Sequence, residues 1–223
     1  MSQKLIYIRQ REEKQLKFYA TMKRSIILWA VLFFAAYGLN AQNGMTDEER
    51  KFAVKYLNDT QNEMLKILKG LSEAQLNFKP NAESWSVSEC LKHITISEQN
   101  IWAGFIEAGL AKEADPSKRS EVQFSDEQVM GFLESREQKV KTFAPFEPQN
   151  KPETTATVLK EFKKLRSEHI KWVKKTEYDL RNRYGTTPFG TVDLYQAILF
   201  MSAHTRRHTD QMKEVMADAG FPK

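Results

Sequence analysis

The 223-residue chain contains four histidines: His93, His169, His204 and His208. His204 and His208 stand four apart, a spacing that puts two side chains on one helix face with their Cβ atoms about 5–6 Å apart. At that separation two imidazoles can grip one metal ion together. A bare H-x-x-x-H arises often by chance and carries little alone. Its setting carries more. The apolar positions around it run Leu194, Ala197, Met201, then the two histidines, then Met212 and Val215. Both rings therefore belong to the side that faces a core. Burying two polar rings one turn apart costs free energy unless each is hydrogen-bonded or bound. A shared metal satisfies both; two separate core hydrogen bonds are the alternative.

His93 lies beside the apolar stripe of its own segment, in a row with Ser97, Asn100 and Gly104. That row reads either as a solvated flank or as a cavity wall whose small residues leave room for a ligand. His169 falls on a core stripe and reads as a core histidine bonded to a neighbour. It is also the reserve fourth ligand. Cys90, one turn before His93, is either a soft ligand or a small buried apolar residue, and free cysteines usually pack in the second way. As the sole cysteine it excludes an intrachain disulfide and a Cys-rich zinc module.

Helices must position these residues. Thr46-Asp47-Glu48-Glu49 is a helix start, a cap followed by acids. Ala53, Tyr56, Leu57, Thr60, Met64, Ile67, Leu68 and Leu71 then recur at spacings of three and four, and Gly70 ends the stripe. A linker, 72–84, carries Pro80. A second helix is expected from Ser86 to about Gly109, with Val87, Cys90, Leu91, Ile94, Ile101 and Phe105 on its stripe. A shorter one is expected over Ser125–Phe143, before Pro145, Pro148 and Pro152 break the chain. The next spans about Glu153–Thr176, with Val158, Phe162, Leu165, His169, Trp172 and Val173 on one face. Glu177–Gly190 reads as a loop, and the last helix spans about Thr191–Ala219. Four long amphipathic helices bury their stripes most simply against one another, so the fold class is all-α, a four-helix bundle with one short extra helix packed outside.

The net charge of +5 invites a nucleic-acid reading. However, residues 1–41 hold seven cationic and two anionic side chains, leaving 27 of each sign in residues 42–223. The remainder is neutral, which argues against a concentrated basic face and a nucleic-acid partner. The upstream segment reads as a Sec signal: Lys23-Arg24, then the apolar run Ile26–Tyr37, then Leu39-Asn40-Ala41 as the cleavage site, with Gln42 as the new N-terminus. The run is short for a membrane span, so no stable insertion is expected once it is removed, and an uncleaved anchor is the alternative. No cysteine follows for a lipid anchor. Met22 directly precedes the basic pair, and residues 1–21 are either a mis-called start or a long n-region. The domain proper is then 42–223, periplasmic or extracellular.

With order and spacing assembled, the chain resembles the DinB-like (DinB/YfiT) family of metalloenzymes. The resemblance rests on Leu71-Ser72-Glu73-Ala74-Gln75-Leu76 after the first helix, and on Trp85-Ser86-Val87-Ser88-Glu89 and Leu91-Lys92-His93-Ile94 in the second. In the last helix it rests on Ala203-His204-Thr205-Arg206-Arg207-His208-Thr209-Asp210-Gln211-Met212. It covers residues 46–219. In that family one histidine of the second helix and the H-x-x-x-H pair of the last bind a divalent metal within the bundle. The resemblance thus implies His93, His204 and His208 as metal ligands. Members are often linked to the stress response, and several relatives are S-transferases or isomerases that use low-molecular-weight thiols. Most are cytosolic, and the signal segment departs from that pattern.

Three neutral imidazoles leave at least one coordination position open, as in catalytic sites. By affinity three neutral nitrogens suit zinc, nickel, iron or copper, and the sequence does not choose among them; a divalent ion is expected, zinc or nickel first, with iron or manganese as alternatives. None of Glu89, Glu98 or Asp210 is placed as an evident general base, and Asp210 is expected to pair with Arg206 or Arg207. The functional expectation is a secreted metal-dependent enzyme acting on a small molecule, S-transferase-like or hydrolase-like. The alternative is a non-catalytic metal- or ligand-binding bundle. A homodimer is a further expectation, with Trp102 either on its face or in the core.

Overall fold

The computed structural model describes residues 44–137 and 141–223. The expected signal segment and the cleavage site after Ala41 lie outside the described residues. Four long helices form the body: α1 (Asp47–Leu68), α3 (Val87–Ile101), α5 (Thr155–Lys175) and α6 (Leu194–Met216). Two shorter ones, α2 (Glu73–Asn77) and α4 (Asp126–Glu134), sit in the connections. Capping boxes at Thr46/Glu49, Ser72/Gln75, Ser86/Glu89, Ser125/Gln128 and Asp193/Gln196 start α1, α2, α3, α4 and α6. Each satisfies two backbone donors that would otherwise be orphaned at a helix start.

Helices α1 and α3 both pack on α5 and α6 rather than along each other, so α1 and α3 face across one diagonal of the bundle and α5 and α6 across the other. The core divides into two apolar clusters. One gathers Leu57, Ile106, Val173, Leu194, Ile198 and Leu199. The other gathers Met64, Leu91, Ile94, Val158, Phe162 and Met212. Polar side chains separate them.

Four details depart from the sequence expectation, the first being that the expected linker 72–84 holds the short helix α2. Helix α4 stops at Glu134 instead of continuing to Phe143. The next stripe positions after Leu133, Arg136 and Glu137, are charged, and Arg136 pairs with Glu214 of α6 at 2.7 Å. The second helix is not regular to Gly109: a π-helical segment, Trp102–Glu107, follows α3, with one further α turn at Ala108–Leu110. The loop before α6 contains a hairpin, β1 (Tyr184–Thr187) and β2 (Gly190–Asp193), in antiparallel register with Tyr184 opposite Asp193. Four-residue strands are too short for alternation to show against background. Gly190 turns the hairpin at φ +127. Gly185 lets it dock, because a Cβ there would collide with the Phe105 ring. The last helix consequently starts at Leu194, capped by Asp193.

Candidate metal centre

His93 lies on α3, less than two turns after the Ser86 cap, and His204 and His208 lie one turn apart on α6, which packs against α3. The packing brings all three rings to one point. Nε2 of His204 is 3.2 Å from Nε2 of His93 and 3.2 Å from Nε2 of His208. One nitrogen from each residue falls within 4.8 Å of the other two. Trp85, just before the α3 cap, lies against both His93 (4.8 Å between rings) and His208 (5.9 Å).

The opposite ring nitrogens fix the tautomers. His93 Nδ1 lies 2.7 Å from the carbonyl oxygen of Phe146, which can only accept, so Nδ1 carries the proton. His208 Nδ1 lies 2.8 Å from Oε1 of Gln211, one turn on, and donates likewise. Each of these imidazoles then turns an Nε2 lone pair toward the nitrogen of His204. Lone pairs held face to face repel unless a cation or a proton lies between them.

A metal ion fits this arrangement. Around a tetrahedral ion with metal–nitrogen bonds of about 2.0–2.1 Å, ligand nitrogens stand about 3.3 Å apart. The two 3.2 Å edges match that value, and they suit an octahedral face nearly as well, so spacing does not select the ion. Outward N–H groups bonded to a carbonyl and an amide oxygen are the usual supports for histidine ligands.

Electrostatics keep the donors neutral. Burial lowers the pKa of His93, only partly offset by its bond to Phe146. Burial also puts His204 and His208 well below the ordinary histidine value, reinforced by the neighbouring histidines and by Arg207. His93 and His208 are buried, and His204 is the partly exposed member.

His169 does not join the trio. Its Nδ1 bonds Oε1 of Glu98 at 2.8 Å, and its ring stacks on Trp102 at 3.8 Å, 10° from parallel. The reading as a core histidine holds, and the reserve-ligand role does not. Trp102 in turn meets Trp172 edge-on at 5.2 Å and belongs to an intramolecular aromatic cluster. Cys90 is fully buried and burial pushes its thiol pKa up, which suits an inert apolar residue. Asp210 pairs with Lys213 at 2.7 Å, not with the expected arginines. Arg206 pairs with Glu134 at 3.3 Å, and Arg207 donates to the carbonyls of Leu133 and Ser135. Glu89 is spent on the α3 cap and Lys79.

The sequence reading missed a second polar centre. Arg166 is fully buried and bonds Glu98 through Nε (2.8 Å) and Nη2 (2.7 Å). It also donates to the carbonyl of Leu57, to Thr60 Oγ1 and to Thr205 Oγ1, so all four long helices meet at this side chain. A signal existed. The α3 stripe jumps from Ile94 to Ile101 across Glu98, and the buried stripe of α5 runs Phe162, Arg166, His169, Ile170 and not through the partly exposed Leu165. One charged residue interrupting the core face of each of two helices foretells a buried pair.

Fold and centre together define a class: a four-helix bundle with three convergent imidazoles between two of its helices. Comparison with known proteins gives that class its family. Residues 56–212 match the family model of the DinB superfamily, and the chain belongs to that superfamily. It is 26% identical over 162 residues to the uncharacterized protein YuaE of Bacillus subtilis, covering 71% of this chain and 93% of that protein. Among solved structures, YfiT from Bacillus subtilis is similar in fold, with a TM-score of 0.53 and 15% identity over 81% of this chain and 93% of YfiT. YfiT is described as a probable metal-dependent hydrolase with an unusual four-helix bundle topology.

Proposed function

We propose that the chain is a metal-dependent enzyme acting on a small molecule, with a divalent ion on Nε2 of His93, His204 and His208. The observation that carries this reading is the convergence of three nitrogens along 3.2 Å edges, with the far nitrogens of His93 and His208 tied outward. An ion with three protein ligands and an open position supplies Lewis acidity toward a carbonyl, phosphoryl or thiolate group. The chain's own contribution is to hold the donors neutral by burial, orient them through Phe146 and Gln211, and wall the centre with Trp85.

YfiT's description supports hydrolysis as the reaction class. One observation favours thiol transfer as a second reading. Glu89, Glu98 and Asp210 are committed to other partners, so none is free to act as the base that hydrolysis uses. Metal analysis of the purified full chain, reloaded with zinc or nickel, is expected to give about one ion per chain, and His204→Ala close to none. Stoichiometry near zero in the wild type removes the reading. Turnover of activated esters against thiol adducts by the loaded protein then separates the two reaction classes. An extracytoplasmic location is part of this proposal, supported by the Lys23-Arg24 pair and the apolar run Ile26–Tyr37. Mature protein from the native host is expected to begin at Gln42, and N-terminal sequencing tests it.

A further inference from the structure

Among the described residues, three of the six large apolar side chains that stand exposed, Phe124, Phe132 and Phe189, gather at the hairpin turn. Phe124 touches the turn at Gly190, and the rings of Phe132 and Phe189 are 5.2 Å apart. Phe189 then stacks on Phe200 at 6.2 Å, and Phe200 lies 6.1 Å from the His204 ring, 15° from parallel. The rings make a continuous line from solvent to His204, the histidine that keeps solvent access. On α3, one turn from His93, the Ser97 hydroxyl is buried without a hydrogen-bond partner. Gly104, further along that row, is exposed, and a Cβ there would meet open space.

We infer that the line Phe132–Phe189–Phe200 is the specificity strip of the three-histidine centre. It selects small-molecule substrates that carry a flat apolar body on the group presented to the ion. The inference rests on the metal reading above and adds the substrate class. Exposed apolar side chains that cluster, rather than scatter singly, mark binding surfaces. Offset ring stacking favours a planar partner beyond the area it buries. Position gives the occupant: the strip ends on a histidine of the centre, so whatever lies along it is aimed at the ion. Phe200 and His204, four apart on α6, set that aim.

The test uses two chelators with the same head group, benzohydroxamate and acetohydroxamate, titrated by calorimetry into the zinc-loaded full chain. The expected result is binding of both, with benzohydroxamate tighter by about tenfold or more, a gain in the range of one good aromatic contact. Phe189→Ala, the second ring out from His204, should lower that ratio, and Phe132→Ala, the third, should lower it less, both leaving zinc content and acetohydroxamate affinity unchanged. Phe189→Tyr should retain it. Equal affinities in the wild type, or a ratio indifferent to all three substitutions, overturns the strip and leaves the metal centre standing. A chain that takes up no zinc and binds neither probe overturns the metal reading and the strip with it. A wild-type dimer in sedimentation that Phe132→Ser and Phe189→Ser dissociate, with the probe ratio unmoved, makes the patch an interface and also overturns the proposal.

Discussion

Two clusters of polar side chains interrupt the apolar core of this bundle, and they are satisfied in opposite ways. At Glu98, Arg166 and His169 every charge faces its complement: guanidinium to carboxylate, imidazole to carboxylate, and the remaining guanidinium protons to Leu57, Thr60 and Thr205. At His93, His204 and His208 like faces like, with ring nitrogens 3.2 Å apart and the protons of His93 and His208 turned outward. The first is complete without a ligand and ties four helices together. The second leaves at least one aimed lone pair over, because a neutral His204 has a single proton to offer the two nitrogens that face it. Burial alone therefore does not mark a functional site; residual, aimed donor capacity does.

That contrast can be broken from either side. The largest effect is expected at the closed centre. Arg166→Met leaves the Glu98 carboxylate buried beside His169 alone, and removing one partner of a buried pair costs about 3–5 kcal/mol. Urea unfolding of the metal-free protein should show it, while the folded fraction still takes up zinc. A loss below about 1 kcal/mol would mean the network is far wetter than its burial implies.

The open centre should behave inversely. His204→Ala is expected to lower zinc affinity by at least about a hundredfold, equivalent to about 2.7 kcal/mol. It should leave metal-free stability nearly unchanged, because it also removes a nitrogen that repels its neighbours. With zinc in excess the wild type gains stability by mass action and the variant does not. If His204→Ala unfolds the metal-free protein, the trio is a structural core element after all.

Gln211→Leu sharpens the comparison further. It removes the acceptor for His208 Nδ1–H, and loss of such a support typically costs 10–100-fold in metal affinity. Calorimetry against zinc measures it, and a wild-type affinity would show that the histidine is oriented by packing alone.

Acidification should take the two centres apart in order, each group contributing at most about 1.4 kcal/mol per pH unit. The three histidines have folded-state pKa values below their unfolded value. Their contribution is present above about pH 6.5 and is lost progressively from there down to the folded-state values, because the unfolded chain takes up the protons first. Burial raises the Glu98 carboxyl, but the Arg166 charge and the bonds from His169 and Arg166 outweigh it and hold it at about 2. That contribution is present above the unfolded value of about 4.3 and is lost only as the pH falls toward 2. Stability of the metal-free chain should therefore begin to fall below about pH 6.5 and fall more steeply below about 4.3. A single step near pH 4 would deny the histidines their burial.

The smallest effect is expected from Asp210→Asn. Its carboxylate is spent on exposed Lys213, and surface pairs of this kind contribute about 0–1 kcal/mol. Metal affinity and turnover should be unchanged, and a large loss of turnover would instead identify Asp210 as a catalytic base.

Much of this was legible in the residues themselves. The long helices follow from stripes such as Leu194, Ala197, Met201 and from caps such as Thr46 and Ser86, because period and capping are local properties. His204 and His208 share a face for the same reason. The hairpin escaped because Tyr184–Thr187 and Gly190–Asp193 are too brief to show a period, and the end of α4 depended on Arg136 finding Glu214, a contact 78 residues away. Leu165 looked like core and Arg166 did not, since hydropathy assigns a face without asking what lies opposite.

The sequence by itself determined the helices, their buried faces and which imidazoles could act as one pair. Only the tertiary structure decided that His93 turns toward that pair, that His169 turns toward Glu98, and that Phe146 and Phe200 frame the centre. The reason is physical. A side chain's face is set by the backbone within a few residues, but its partner is set by the packing of a separate helix, and no local rule encodes that approach.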